Sequence, residues 1–137
     1  MKSSTKENNE VISLNFNHLL KNQDESFILN THKKIKKVIR SSELVKIEAD
    51  GSYSKFYLVD GTVIMNSYNI AQHEKKLTNP FFIRIHKSYI INICYASSVT
   101  VKSPLVITLH NSENIVASRR KEKLIRFHIN KILSMAF

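Results

Sequence analysis

The sequence predicts a mainly β domain with two flanking helices, and three observations support that fold class. Apolar and polar residues alternate in short runs, as in the run Val45–Ala49, which is typical of half-buried strands. The two glycines both follow aspartate, at Asp50-Gly51 and Asp60-Gly61, and Asp-Gly between apolar runs is a strong hairpin signal. Helical spacing of apolar residues is confined to two segments, 67–77 and 119–133.

The elements follow one another along the chain in a simple order. Residues 1–25 are polar, which predicts a tail or linker. The few apolar residues within 11–20 are also compatible with a short helix or strand that docks on the domain. The domain itself is predicted over 26–137. Strands are expected at 27–29, 37–39, 44–49, 53–59, 62–66, 81–85, 89–93, 99–101, 105–109 and 115–117.

Each predicted helix begins at a serine, a residue type that caps helices well. Ser67 is expected to cap the first helix, with Ile70, Ala71, Glu74 and Leu77 on one face, and Asn79-Pro80 ends it. Ser118 is expected to cap the second, whose apolar face would hold Leu124, Ile125, Phe127, Ile129, Ile132 and Leu133.

The chain is strongly basic, and its charge is unevenly distributed. It has 137 residues, with 21 Lys and Arg against 11 Asp and Glu, a formal net charge of +10. Residues 1–25 hold three basic and four acidic side chains, so the remaining 18 and 7 give the domain +11. A domain this basic attracts polyanions, of which nucleic acid is the commonest, although charge that only aids solubility remains an alternative.

Several classes of protein are disfavoured by what the sequence lacks. No apolar run approaches the ~20 residues of a membrane span, and the N-terminus is too polar for a secretion signal. Two isolated glycines cannot build a phosphate loop, and the six histidines show no zinc-site spacing, so we expect no metal and no cofactor. A thiol enzyme built on Cys94 and His86 is an alternative, but the apolar run around Cys94 disfavours a reactive thiolate.

Three basic clusters stand out. Lys33, Lys34, Lys36, Lys37 and Arg40 surround an early hairpin, where lysines can simply discourage edge pairing. In the segment 84–88, Arg84, His86 and Ser88 are expected on one face, with Ile83 and Ile85 turned to the core. The third cluster is Ser118, Arg119, Arg120 and Lys121, followed by Lys123. Its arginines oppose the helix dipole, and locally unfavourable choices of this kind often mark function.

In their order and spacing, three segments resemble the LytTR family of bacterial DNA-binding domains. They are 44–53 (LVKIEADGSY), 82–92 (FIRIHKSYIIN) and 117–120 (ASRR), and the resemblance extends over about 26–134. It implies small stacked antiparallel sheets with a helix on the flank, and DNA read by loops rather than by a recognition helix. It also implies that the protein is not an enzyme.

The resemblance implies a role for specific loop residues. Tyr53, with Ser54 or Lys55, corresponds to the first major-groove loop, and Lys87, following His86, to the intervening minor-groove loop. Arg120, near Arg119, corresponds to the other major-groove loop. Arg120 suits a guanine edge, whereas Lys55, Lys87, Lys121 and Lys123 suit phosphates. Arg84, Ile85 and Ser88 can instead hold the shape of their loop. The expected DNA-binding residues are Tyr53, Ser54, Lys55, His86, Lys87, Ser118, Arg119, Arg120, Lys121 and Lys123.

The function expected from these residues is that of a cytoplasmic transcription regulator that binds specific double-stranded DNA, with two copies on neighbouring promoter repeats. Relatives usually follow a receiver domain, which residues 1–25 are too short to form, so an effector domain of a two-component response regulator and a stand-alone regulator both remain open. A nonspecific polyanion or RNA-binding module is the alternative. It would need aromatic stacking platforms, whereas most aromatic residues here occupy apolar-face positions.

Overall fold

The computed structural model describes residues 10–22, 25–31 and 33–135, and over that part of the chain it confirms a mainly β domain with two α-helices. The strands are β1 (Val11–Ser13), β2 (Ser26–Asn30), β3 (Lys36–Arg40), β4 (Leu44–Asp50), β5 (Tyr53–Leu58), β6 (Val63–Asn66), β7 (Phe82–His86), β8 (Tyr89–Asn92), β9 (Ala96–Thr100), β10 (Val106–Leu109) and β11 (Asn114–Val116). The helices are α1 (Ile70–Lys76) and α2 (Glu122–Met135), and short 3-10 turns cover Asn17–Asn22, Ser41–Glu43, Ile93–Tyr95 and Arg119–Lys121.

The central sheet has five antiparallel strands in the order β6-β5-β4-β8-β7. Its β4-β5-β6 meander is built on the two predicted Asp-Gly turns, in which Gly51 and Gly61 adopt φ of 60° and 91°. Glycine accepts this left-handed conformation without a Cβ clash, so the dipeptides place both hairpins. As a result, the β4–β5 turn and the β7–β8 turn lie at the same end of the sheet.

The second sheet has four strands in the order β1-β9-β10-β11, and β2 and β3 form a separate hairpin. Because β1 pairs with β9, the segment around 11–20 docks on the domain. Leu14 and Phe16, which follow β1, are buried in the core. The division of the chain at residue 25 stays a prediction, and residues 1–9 lie outside the described part of the structure.

Two hydrophobic clusters hold these layers together. The larger cluster joins the four-stranded sheet to α2, which contributes Ile125, Ile129 and Ile132. The smaller one lies between the central sheet, the β2–β3 hairpin and α1, around Ile47 and Phe56. No α-helix in the described part of the chain is long and apolar enough to span a membrane.

The helices depart from their sequence predictions in detail. Asn69, not Ser67, caps α1, because its side chain accepts from the Gln72 N–H while the Gln72 side chain accepts from the Asn69 N–H. This is a reciprocal capping box. The packed face of α1 is formed by Ile70 and His73, with Ala71 and Glu74 exposed.

The C-terminal helical segment begins with the 3-10 turn Arg119–Lys121 and continues as α2. Ser118 precedes this turn without a side-chain capping bond, contrary to its predicted role. Leu124 and Phe127 are 68% and 61% exposed, so the apolar face of α2 is narrower than its sequence suggests. The sheet covers only the face that carries the three isoleucines.

Candidate nucleic-acid interface

The first candidate loop is the turn between β4 and β5. Asp50 and Tyr53 pair directly, so Gly51 and Ser52 alone reverse the chain. Tyr53 is 41% exposed beside the turn, and the Lys55 ammonium lies 3.6 Å from the Asp50 carboxylate. Ser54 differs from its neighbours because it is fully buried and its hydroxyl donates to the Tyr68 carbonyl at 2.8 Å. Tyr53 and Lys55 therefore reach solvent here, whereas Ser54 supports the loop from inside.

The second candidate loop, Lys87-Ser88, connects β7 and β8, and the side chain of Arg84 closes it. The Arg84 Nε donates to the His86 carbonyl at 2.9 Å, and Nη2 donates to the Lys87 carbonyl at 2.6 Å. The remaining Nη1 donates to Glu74 of α1, also at 2.6 Å. Arg84 thus turns back into its own loop and is held by α1, which leaves Lys87 exposed at the tip.

The pairing of β7 with β8 shifts register between Arg84 and His86. Ile83 and Ile85 are buried as predicted, and Arg84, His86 and Ser88 are half-buried. The His86 ring contacts Tyr89, and its Nδ1 accepts from the Ser88 N–H at 3.1 Å. When neutral, His86 therefore carries its proton on Nε2.

The third candidate loop is the segment Ser118–Lys121 and the first turn of α2. Arg119, Arg120 and Lys123 are exposed, while Ser118 and Lys121 are half-buried. Glu122 holds the start of α2 in place, because its Oε2 accepts from the Leu105 N–H at 3.1 Å and from the Ser103 hydroxyl at 3.0 Å. The arginines thus project from a short 3-10 turn that a carboxylate anchors to the four-stranded sheet.

Backbone hydrogen bonds join the three loops into one surface. The Ala49 N–H donates to the Ser88 carbonyl at 2.9 Å, which places the first loop beside the second. The Ser118 N–H donates to the Ile85 carbonyl at 2.8 Å, which places the third loop beside the second. We call residues 50–55, 86–88 and 118–123 the three-loop surface. It brings together all ten residues that the sequence singled out, with Ser54 beneath it.

The three-loop surface is electrostatically suited to a polyanion. It carries Lys55, Lys87, Arg119, Arg120, Lys121 and Lys123 against only Asp50 and Glu122. The Asp50 carboxylate pairs with Lys55, and Glu122 is occupied by its bonds to the neighbouring loop. Arginine and lysine side chains at loop ends, with few competing carboxylates, are the usual contacts to DNA phosphates and base edges.

A buried charge cluster behind this surface was missed in the sequence. Lys46 of β4 is 5% exposed, and its Nζ lies 2.5 Å from Glu113 in the β10–β11 turn and 3.5 Å from Glu48. The same Nζ lies 4.4 Å from the centre of the Tyr57 ring. Burial alone would lower the pKa of Lys46, but the hydrogen bond and the charge of Glu113, helped by Glu48, raise it overall. Alternation with apolar residues predicts an exposed lysine here and cannot reveal Glu113.

The thiol-enzyme alternative finds no support in the geometry. Cys94 is fully buried in the larger cluster, and its backbone N–H donates to the Asn92 side chain. His86 instead contacts Tyr89 and Ser88. Within the described residues, no group of three or more His, Cys, Asp or Glu side chains is arranged to hold a metal ion.

Comparison with known proteins finds a DNA-binding domain family and a solved structure of that family. The family model of the LytTr DNA-binding domain matches residues 33–130. A solved structure described as the LytTr DNA-binding domain of a methyl-accepting/DNA response regulator from Bacillus cereus superimposes with a TM-score of 0.66 at 18% identity. The superposition covers 77% of this chain and 97% of that chain, and at this identity it shows the shared fold. No curated protein matches the chain.

The family match confirms the resemblance found in the sequence. It runs from the β2–β3 turn into α2 and so includes all three loops. It also confirms that the chain is not an enzyme, because the family is one of DNA-binding domains. Since the match spans well over half of its length, the protein belongs to the LytTR family of DNA-binding domains.

Proposed function

We propose that the protein is a cytoplasmic bacterial transcription regulator that binds specific double-stranded DNA through the three-loop surface. The observation that carries the proposal is the pair of backbone bonds, Ala49 to Ser88 and Ser118 to Ile85, that gathers three separate cationic loops at one place. The regulator acts either as the effector domain of a two-component response regulator or on its own. Two copies bind neighbouring promoter repeats as a homodimer.

Within the surface, the side chains have different roles according to their chemistry. Arg120 and Tyr53 can reach base edges, because a guanidinium holds guanine O6 and N7 together and a phenol can donate or accept. Lys55, Lys87, Lys121 and Lys123 contact phosphates and set the register. His86 can donate through Nε2, because its Nδ1 already accepts from Ser88. Ser54, whose hydroxyl is engaged inside the protein, supports the first loop.

Selection from a random duplex pool at about 150 mM salt tests the proposal, because purely electrostatic binding is weakened there. We expect an enriched motif that recurs at about one helical turn when two copies bind side by side. Retention without enrichment would favour the alternative, a nonspecific polyanion or RNA-binding module. No retention at all would contradict DNA binding by this chain alone.

Replacing Arg120 by alanine is expected to weaken binding to the selected site by about 1–3 kcal/mol and to leave binding to random DNA nearly unchanged. The reason is that a bidentate contact to guanine is lost while most phosphate contacts remain. Fluorescence anisotropy on both duplexes measures the two affinities. Lys123→Ala is the matched control, for which we expect a similar loss on both duplexes. Equal losses for Arg120→Ala would show that Arg120 reads no base.

Replacing Arg84 by lysine is expected to weaken specific binding about tenfold although the charge is kept. An ammonium cannot donate to the carbonyls of His86 and Lys87 and to Glu74 with the geometry of a guanidinium, so the loop loses its clamp. Amide NMR shifts of Lys87 and Ser88 should change, and those of β1 should not. Glu74→Gln keeps both carbonyl bonds and should bind nearly as well as wild type. Unchanged loop shifts in Arg84→Lys would contradict the positioning role.

A further inference from the structure

The outer edge of β6 is an open strand edge beside the β2–β3 hairpin. β6 is the last strand of the central sheet, and in the described part of the chain only Thr31 pairs with its outer side, through a bridge to Asn66. The Leu58 N–H donates to the Thr62 carbonyl at 2.9 Å, so Thr62 faces β5. Backbone groups of successive residues in an antiparallel ladder point to alternate sides, so Val63 directs its N–H and carbonyl to the open edge.

A groove runs along this edge. It is lined by residues 62–65 and, from the hairpin, by Thr31, Lys33, Ile35 and Lys37. Side chains of successive strand residues lie on opposite faces of a sheet, so lining by all four residues of 62–65 means that the groove follows the edge of the strand rather than one face. Its volume of about 240 Å³ is below the roughly 300–1,000 Å³ of small-molecule pockets. The groove therefore suits an extended segment laid along β6 better than a small ligand.

The groove is apolar along the strand and cationic along the hairpin. β6 itself carries no charged residue, and Val63 and Ile35 are 49% and 58% exposed. Lys33 and Lys37 are exposed, and neither forms an ion pair with a carboxylate of the described residues. Asp60, in the turn before β6, has its carboxylate bonded to a backbone N–H of that turn. A segment that combines apolar and acidic residues would complement this surface.

A second copy of this chain is a poor occupant of the groove. If two β6 edges paired about a twofold axis, the hairpins beside them would bring Lys33 and Lys37 of both copies together. Like charges at close range oppose such pairing, and lysines near an open edge are a common protection against it. The same two lysines attract a strand that carries carboxylates.

We propose that the open edge of β6 binds an extended acidic segment of another protein as an added strand. Strand addition gives affinity through main-chain hydrogen bonds and specificity through contacts to alternate side chains. Val63 supplies the backbone groups, Ile35 packs against apolar residues of the segment, and Lys33 and Lys37 pair with its carboxylates. The hairpin end lies along β6 towards the β5–β6 turn, away from the first and second loops, so the inference adds a protein partner to the proposed DNA binding.

The test is selection from a displayed library of random peptides against the full chain. We expect enrichment of extended sequences in which acidic residues alternate with β-branched or aromatic ones. A synthetic peptide of the enriched sequence should bind about tenfold more weakly to Lys33→Ala with Lys37→Ala than to the wild type, as measured by fluorescence anisotropy. The charge control is Lys21→Ala with Lys131→Ala, which removes the same charge at two exposed lysines outside the groove and should bind the peptide as the wild type does.

Two N-methylated forms of the same peptide test the added strand itself. Methylation of the amides that face β6 should abolish binding, whereas methylation of the alternate amides should leave it nearly unchanged, because only one set can donate to β6. Amide NMR shifts of residues 62–65 should change on binding, and those of β1 should not.

Each other outcome overturns a stated part of the inference. If no peptide is enriched, or if the enriched peptides bind the double variant as well as the wild type, the groove is not a docking site. If both N-methylated peptides bind equally, the segment is not an added strand. If the double variant loses more DNA affinity than the charge control, the two lysines serve DNA rather than a protein partner. Matching thermal unfolding midpoints of both variants and wild type show that folding is not the cause.

Discussion

Lowering the pH from 7 to 4 is expected to cost the protein about 3 kcal/mol of stability through a single buried histidine, His73 of α1. Its side chain packs edge-on against Phe56 in the smaller cluster, with ring centres 4.7 Å apart. Burial, with a further contribution from the charge of Lys76, lowers the pKa of His73 from 6.5 to about 4. The folded protein therefore resists a proton that the unfolded chain accepts near pH 6.5.

The sign of the effect follows from which state binds the proton. Above pH 6.5 both states leave His73 neutral, so the full stability is present. As the pH falls from 6.5 towards 4, only the unfolded chain is protonated, and stability is lost over that window. Below about pH 4 the folded state is protonated as well, and the contribution of His73 stops changing.

The neighbours of His73 also settle its tautomer. The Asn66 Oδ1 accepts from the Tyr68 N–H, and its Nδ2 donates to the Asn30 carbonyl, so the orientation of the amide is set. The His73 Nε2 lies 2.9 Å from that Oδ1 and must be the donor. Asn66 thereby links His73 to Asn30 at the end of β2.

His73→Gln provides a matched variant, because glutamine can donate to the same Asn66 oxygen and does not titrate. Denaturant unfolding of both proteins at several values between pH 7 and pH 4 gives the difference in their free energies of unfolding. We expect the wild type to lose about 3 kcal/mol relative to the variant over this range, with other titrating groups cancelling. A difference that is independent of pH would contradict the lowered pKa of His73.

Replacing Glu113 by glutamine is expected to destabilise the protein by about 3 kcal/mol, because it leaves the charge of Lys46 buried with only Glu48 nearby. Replacing Lys46 by methionine should cost less than about 1 kcal/mol. Methionine fills a similar volume, and the side chains of Glu48 and Glu113 are 25% and 35% exposed and can regain water.

The double variant tests whether Glu113→Gln destabilises the protein because it leaves the charge of Lys46 without its partner. Lys46→Met with Glu113→Gln should be nearly as stable as Lys46→Met alone, because no buried charge then lacks a partner. Chemical denaturation of the four proteins completes the cycle. Equal losses for both single variants would mean that buried Lys46 does not depend on Glu113. DNA affinity provides a second readout, because β4 leads into the first loop and β11 leads into the third.

Local sequence patterns were sufficient to predict most of the strands and helices. The Asp-Gly turns and the alternating runs predicted the meander β4-β5-β6 with ends within one residue, because turn conformation and strand period depend on neighbouring residues. The sequence predicted the ends of the helices less accurately. Ser67 and Asn69 are both good caps, and the choice of Asn69 depends on the reciprocal bond with Gln72. The width of the buried apolar face of α2 was overestimated, because the spacing of apolar residues does not show how much of the helix the sheet covers.

The loops themselves were also recognisable in the sequence, because the motifs around Tyr53, Lys87 and Arg120 are contiguous runs of residues. The sequence did not show which residues within each loop reach solvent. Ser54 looks as available as Tyr53 in the sequence, yet its hydroxyl is bonded to Tyr68, 14 residues away. The sequence left open whether Arg84 faces solvent or holds the shape of its loop, and the structure shows its side chain bonded to that loop and to Glu74 of α1.

Charge, turn chemistry and side-chain period were therefore enough to identify a basic, mainly β protein, and the resemblance to LytTR domains singled out its three candidate loops. Only the folded chain shows that the loops adjoin, through Ala49 with Ser88 and Ser118 with Ile85. It alone pairs Lys46 with Glu113, 67 residues apart. The reason is physical: turns and strands follow from interactions between neighbours in sequence, whereas these contacts depend on which distant faces pack together to exclude water.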